Sequence, residues 1–237
     1  MVIESLDSNK ITRYISDWDN IYCEKYVSNL IKLILEKINQ YYINDNLCVI
    51  DIGSNVGKIY DLLSEKIALD QYYMFEPDTN LYEYITYKYK NNSNIKIYNN
   101  AVGLTTDFVY FNNSSMEYQI NNNKSNLNFG LGMISNKPTN QQIKGIKISD
   151  FFQNNSFLYE KPCFIKIDTE NFDYQILSDL SHVIGFFTKK PIIIFENNYF
   201  CNGNSLEWAQ DIVNLFFKKG YKKINITRSM GDGILEV

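Results

Sequence analysis

The residues with the strongest chemical character stand at the ends of apolar runs. Val49, Ile50, Asp51, Ile52, Gly53, Ser54, Asn55, Val56 and Gly57 follow one another, giving an apolar strand, a carboxylate, and a turn bounded by two glycines. Glycine permits a sharp turn that side chains would block and lets the backbone approach a ligand. A Gly-x-x-x-Gly turn alone is weak evidence, because any tight strand-to-helix connection can use one. Glu76 strengthens it. This acid closes the next apolar run, 19 residues beyond Gly57, where nucleotide-binding α/β units carry an acid that accepts hydrogen bonds from the ribose hydroxyls. Two later runs, Phe164-Ile165-Lys166-Ile167 and Ile192-Ile193-Ile194-Phe195, end in Asp168 and Glu196. Carboxylates thus recur at the carboxyl ends of strands, the edge at which open α/β sheets bind ligands.

The spacing also narrows the cofactor. Three residues separate Gly53 from Gly57, so the GxGxxG cradle for a pyrophosphate is not formed. That disfavours NAD, as does the lack of a Tyr-x-x-x-Lys pair in the expected core context. Asp51 points the same way: a carboxylate at a strand end repels phosphate but pairs, directly or through water, with an amino-acid ammonium. S-adenosylmethionine offers that ammonium together with a sulfonium.

These residues need a scaffold that brings strand ends together. Apolar runs at 47–52, 72–75 and 95–98 are separated by helical stretches, one beginning near Lys58 and one over 81–89. Strands alternating with helices predict βαβ units and a parallel sheet. An apolar period at Tyr26, Leu30, Leu33, Ile34 and Ile38 predicts an amphipathic helix within 19–43, which we assign to an N-terminal helical cap over residues 1–45. Residues 46–237 form the second unit. Within it, 112–145 is rich in Asn, Ser and Gly without sustained period and reads as an irregular insertion or lid, its apolar centre at 129–134. The chain closes with a helix over 206–218, a stop at Gly220, and strands near 223–227 and 233–237 that suggest a terminal β-hairpin.

Composition limits the partners. A net charge of −4 gives no general attraction for phosphate backbones or anionic lipid. Nucleic acid and membrane are therefore not expected partners, and neither a secretory leader nor a membrane-spanning run is visible, which predicts a cytoplasmic protein. Cys23, Cys48, Cys163 and Cys201 are scattered without metal-ligand or disulfide-framework spacing, so reduced thiols and no metal site are expected. The many Tyr and Phe residues are read as core and compositional bias, with Tyr199 and Phe200 the exceptions that sit beside Glu196.

The order VIDIGSNVG, MFEPD, NNAVG, IKGIKISDFF, FIKIDTENFDYQIL and PIIIFEN, over roughly residues 47–198, resembles the FkbM family of S-adenosylmethionine-dependent methyltransferases. The resemblance implies an α/β, Rossmann-like class I methyltransferase fold. Its sheet would be mostly parallel and seven-stranded, with helices on both faces and the C-terminal β-hairpin. It also implies O-methylation of a hydroxyl on a sugar, glycan or polyketide-like molecule, with S-adenosylhomocysteine as coproduct. Position by position, Asp51, Gly53, Asn55 and Gly57 match the cofactor loop. Glu76, followed by Pro77, matches the ribose acid, and Asn100 and Ala101 match the loop near the adenine. Lys166-Ile167-Asp168-Thr169-Glu170 matches the strand-end signature, although Asn171-Phe172 replaces its usual Gly and small residue.

Methyl transfer to oxygen is an in-line displacement, so alignment does most of the work and a base within hydrogen-bond reach assists. His182, the single histidine, is expected to pack or face solvent. Asp168 is the first choice of base and Glu170 the second, with Glu170 or Glu196 orienting the acceptor. The resemblance also implies that Asp168 sits near the methyl donor. For Lys166 a direct role and an ordinary ion pair with Glu170 are equally weighted. Mg²⁺ held by Asp168, Glu170 and Glu196 is allowed but disfavoured. A non-catalytic scaffold or partner-binding protein, and a methyltransferase of a protein acceptor, remain alternatives. A homodimer is compatible with all of these.

Overall fold

The computed structural model of the chain describes residues 28–42, 46–103, 105–112, 117–120, 124–127, 133–135, 138–139, 141–169, 172–196, 205–225 and 232–236. It opens with α1 (Ser28–Tyr41), β1 (Leu47–Ile52), α2 (Lys58–Ser64), β2 (Leu69–Phe75), α3 (Thr79–Lys88) and β3 (Ile95–Tyr98). Short strands follow: β4 (Asn100–Val102), β5 (Phe108–Asn112), β6 (Glu117–Ile120), β7 (Lys124–Leu127), β8 (Met133–Ser135) and β9 (Gln141–Ile146). The rest alternates again, as α4 (Ile148–Asn154), β10 (Cys163–Ile167), α5 (Asp173–Ser181), β11 (Ile192–Glu196), α6 (Leu206–Phe217), β12 (Lys222–Asn225) and β13 (Asp232–Glu236).

The main sheet has seven strands in the order β12-β13-β11-β10-β1-β2-β3. Neighbours run parallel from β11 to β3, and β13 is antiparallel to both β11 and β12. The expected terminal hairpin is therefore woven into the sheet, with its second strand beside β11. All six residues of β1 are buried, as a central parallel strand covered on both faces requires, and so its sequence is an unbroken apolar run instead of an alternation. Alternate residues divide between two cores. Cys48, Ile50 and Ile52 face Phe151, Phe152, Leu177, Ile212 and Phe216 of α4, α5 and α6. Leu47 and Val49 face Ile34, Ile38, Leu63 and Ile85 of α1, α2 and α3.

The α1 segment is integral to that second core. Just past its end, the Tyr42 hydroxyl lies 2.9 Å from the Cys163 carbonyl and 3.0 Å from the Lys190 carbonyl, and accepts from the Ile192 N–H at 3.1 Å. This pins the helix to the amino ends of β10 and β11, leaving their carboxyl ends free for a site.

The stretch 112–145, expected to be irregular, carries strands. β4, β9, β5 and β8 form a second sheet, and β6 pairs with β7. Among the described residues, Ala101, Phe111 and Ile143 form its buried cluster, with Val109 and Ile134 packed against it. An Asn-, Ser- and Gly-rich sequence carries little period-2 apolar signal, so these strands are not marked by local pattern. The apolar centre at 129–134 lies largely outside the described residues.

Candidate functional site

The turn between β1 and α2 is built on three residues in the left-handed region: Gly53 at φ 76°, Asn55 at φ 51° and Gly57 at φ 75°. Asparagine is among the few side-chain residues that tolerate this conformation. The Phe75 carbonyl gathers the Gly53 and Ser54 N–H groups at 3.0 and 3.1 Å, and the Tyr89 hydroxyl reaches the Gly57 carbonyl at 2.9 Å. The glycines are required by the protein's own packing as much as by any ligand. A methyl group on Gly53 would run into the Asp168 carbonyl oxygen, and one on Gly57 into the Tyr89 ring. Gly53→Ala is expected to destabilise the fold by at least about 1–2 kcal/mol from the left-handed backbone alone. Its thermal unfolding should fall well below that of an alanine placed at the exposed Glu83.

Glu76 stands at the end of β2 and is 5% exposed. Its Oε2 accepts the Asn55 N–H at 2.7 Å and its Oε1 the Asp78 N–H at 2.8 Å. Burial pushes its carboxyl up to about 8, against the pull of those two N–H groups. An ionised carboxylate has about four acceptor positions; two are used here, which leaves two for a pair of vicinal hydroxyls. The Asn99 side chain, which the sequence reading did not single out, secures the loop behind it by donating to the Glu76 and Pro77 carbonyls at 2.9 and 3.1 Å. Asp78 caps α3, accepting from the Asn80 and Leu81 N–H groups.

Asp51 is fully buried and directly opposite Lys166 across the β1–β10 pair. Its Oδ2 accepts from the Tyr72 hydroxyl at 2.9 Å, and its Oδ1 lies 3.1 Å from the Lys166 ammonium. The cation nearest to it is thus supplied by the chain itself. Lys166 itself is 5% exposed and has two more partners, the Gly53 carbonyl at 2.6 Å and Asp168 Oδ2 at 3.4 Å. Burial alone would lower its ammonium, but the charges of Asp51 and then Asp168 outweigh that and raise it. Lys166 thus links the glycine turn to both carboxylates from a buried position. Its observed ion pairs are with Asp51 and Asp168; Glu170, the partner expected for it, lies outside the described residues.

Asp168 is the exposed member, its side chain about half accessible (51%). Its N–H donates to the Ile52 carbonyl at 3.1 Å, which locks the end of β10 to the end of β1 beside the glycine turn. Glu196 closes β11, and its N–H donates to Asp173 Oδ1 at 3.1 Å. Asp173, the first residue of α5, was not singled out from the sequence. No local pattern marks it, since an acid in the first helical turn is ordinary. It is fully buried, and burial, followed by the charges of Asp168 and Glu196, pushes its carboxyl well above the usual range.

Asn100 donates from its side chain to the Lys144 carbonyl of the second sheet at 3.0 Å, and Ala101 is buried there. His182 is exposed just past α5. Cys48 and Cys163 are free and buried, whereas Cys23, Cys201, Tyr199 and Phe200 lie outside the described residues. Among the described residues no group of three or more His, Cys, Asp or Glu is arranged to hold a metal ion, and no helix is long and apolar enough to cross a membrane.

A mostly parallel seven-stranded sheet with one reversed strand, helices on both faces, a glycine turn after the first strand and an acid ending the second define a Rossmann-like class I methyltransferase fold. The FkbM methyltransferase domain matches residues 51–223, and the chain belongs to that family. It is similar to a solved FkbM methyltransferase from Methylobacillus flagellatus KT, at 16% identity and a TM-score of 0.49, over 79% of this chain and 43% of that one. It therefore spans less than half the length of that protein. It is also similar to the magnesium protoporphyrin IX methyltransferase of Synechocystis PCC 6803, solved with bound S-adenosylmethionine, at 11% identity, a TM-score of 0.47, and 93% and 88% coverage. Among curated proteins none matches this chain.

Proposed function

We propose that the chain binds S-adenosylmethionine and transfers its methyl group to a hydroxyl of a sugar, glycan or sugar-containing small molecule. The observation that carries the cofactor half is Glu76. It is held rigidly by the Asn55 and Asp78 N–H groups at the mouth of the glycine turn and retains acceptor positions for the two ribose hydroxyls. The acceptor half is supported by family membership and by Asp168, a half-exposed carboxylate beside that turn. We assign residues 1–45 to a helical cap and 46–237 to the methyltransferase domain, acting in the cytoplasm.

When bound, S-adenosylmethionine supplies an electrophilic methyl group on a sulfonium. Gly53, Asn55 and Gly57 would shape the backbone around it, Glu76 would fix the ribose, and Pro77, Asn100 and Ala101 would flank the adenine. Asp51 would act indirectly, by holding Lys166. Lys166 would hold Asp168 at the edge of the site, and Asp168 would accept the proton of the incoming hydroxyl as it attacks. Glu170 and Glu196 would orient the acceptor. Alignment of oxygen, methyl carbon and sulfur supplies most of the acceleration.

Calorimetric titration with S-adenosylmethionine and S-adenosylhomocysteine tests the first half. Saturable binding by the wild type, weakened in Glu76→Ala, is expected. Radiolabelled methyl transfer to a panel of nucleotide sugars and glycans then tests the second. A folded protein that binds neither cofactor form would remove the whole reading; binding with transfer only to protein would remove the glycan half.

A further inference from the structure

We infer that Asp173 is a positioning residue for the acceptor side of the site: by receiving hydrogen bonds from the turn after β10 and from the end of β11 together, it fixes where Asp168 and Glu196 stand relative to the cofactor loop. The inference rests on the methyl-transfer reading above. Asp173 Oδ2 accepts from the Thr169 hydroxyl at 3.0 Å and from the Thr169 N–H at 3.4 Å, while Oδ1 accepts the Glu196 N–H at 3.1 Å. The residue before Thr169 is Asp168, itself tied through its N–H to Ile52 at the end of β1. One carboxyl thus joins the ends of β10 and β11, and through Asp168 the glycine turn after β1, at the edge where ligands bind in such sheets.

A carboxyl at 0% exposure is expensive unless its partners need it. Docking of α5 does not. The neighbouring Tyr174 packs edge-on against Phe195 of β11 and against Trp208 of α6, and Ile176 and Leu177 are buried in the core. Nor is the carboxyl a conventional cap, since α5 begins after Phe172 without a side-chain cap. Its partners are polar atoms of two strand ends, at Thr169 four residues before it and at Glu196 23 residues after it. Asparagine, whose NH₂ group would face one of these donors, serves that task less well.

The test is steady-state kinetics of Asp173→Asn and Thr169→Val, measured as S-adenosylhomocysteine released with a glycan or nucleotide sugar that the wild type methylates. Asp173→Asn keeps the side chain's shape but sets an amide NH₂ against one of those donors, so a cooperative thermal transition at a somewhat lower temperature is expected. Under the inference kcat falls by about tenfold or more, while the KM for S-adenosylmethionine and the Kd for S-adenosylhomocysteine stay within about threefold. Thr169→Val reproduces a smaller part of the kcat loss. Unchanged kcat in folded Asp173→Asn overturns the positioning role alone. A parallel loss of cofactor affinity and thermal stability also overturns it, because that is the signature of a purely structural residue. A folded wild type that binds neither S-adenosylmethionine nor S-adenosylhomocysteine would instead remove the methyl-transfer reading, and this inference with it.

Discussion

Replacing Lys166 with methionine is expected to cost the protein about 3–5 kcal/mol of unfolding free energy, the range seen when one partner of a buried ion pair is removed. Asp51 is fully buried, and Lys166 is its cross-strand neighbour, 3.1 Å away. In Lys166→Met the Tyr72 hydroxyl remains as a donor to Asp51, but a single neutral donor does not offset a buried charge. Adding Asp51→Asn to the same chain should recover most of the loss, since it removes the stranded charge. For a chain of this length the single variant should melt lower by on the order of 10 °C. Chemical denaturation of both single variants and the double variant measures the coupling directly. Additive single-variant losses would show that the two side chains do not act as a pair. Lys166→Met should also weaken S-adenosylhomocysteine binding, because the Gly53 carbonyl loses the ammonium that holds it.

The second large effect concerns Glu76 and pH. Its carboxyl, raised by burial to about 8, is mostly protonated near neutrality in the free protein. Ribose hydroxyls donate to the ionised form, so binding should expel the proton and tighten as pH rises, by at most about tenfold per pH unit, before levelling off above pH 8. Calorimetry across pH 6.5–9 in buffers of different ionisation enthalpy would read the released proton directly. Glu76→Gln is expected to bind about 10- to 100-fold more weakly, having lost charge-assisted hydrogen bonds, and to show a flat profile. A wild-type affinity that does not change over this range would contradict the assignment of Glu76 to the ribose. The sign for stability is opposite. The folded state keeps a proton that the unfolded chain releases above its ordinary value of 4.5, so this contribution to stability is lost as pH climbs from 4.5 to about 8. Asp173, raised by burial and by Asp168 and Glu196, adds to the same trend.

Features legible in the sequence were those written into neighbouring residues. The run Leu47–Ile52 followed by Gly53, and Ile192–Glu196 with its terminal acid, announce parallel strands with functional ends, because central strands are apolar throughout and ligands meet their carboxyl edge. The helix over 206–218 and the closing strands appear at α6, β12 and β13 within a residue or so of their expected places. The sharp turn expected at Gly53 and Gly57 is present, both glycines having positive φ. Between 112 and 145 the Asn-rich composition carries no sustained apolar period, and the strands there are set by pairing with distant segments such as β4.

By itself, then, the sequence determined the alternation of strands and helices, the glycine turn, and the identity of Glu76 and Asp168 as strand-end acids, since each follows from local pattern and spacing. Only the tertiary structure decided what those acids touch. Asp51 and Lys166 are 115 positions apart in the chain and become partners because β1 and β10 lie side by side. Asp173 became the tie between two strand ends because α5 starts beneath both. The physical reason is that a charge's effect depends on its distance to other charges and on the water excluded around it. Both quantities are set when distant segments pack, and neither can be counted along the chain.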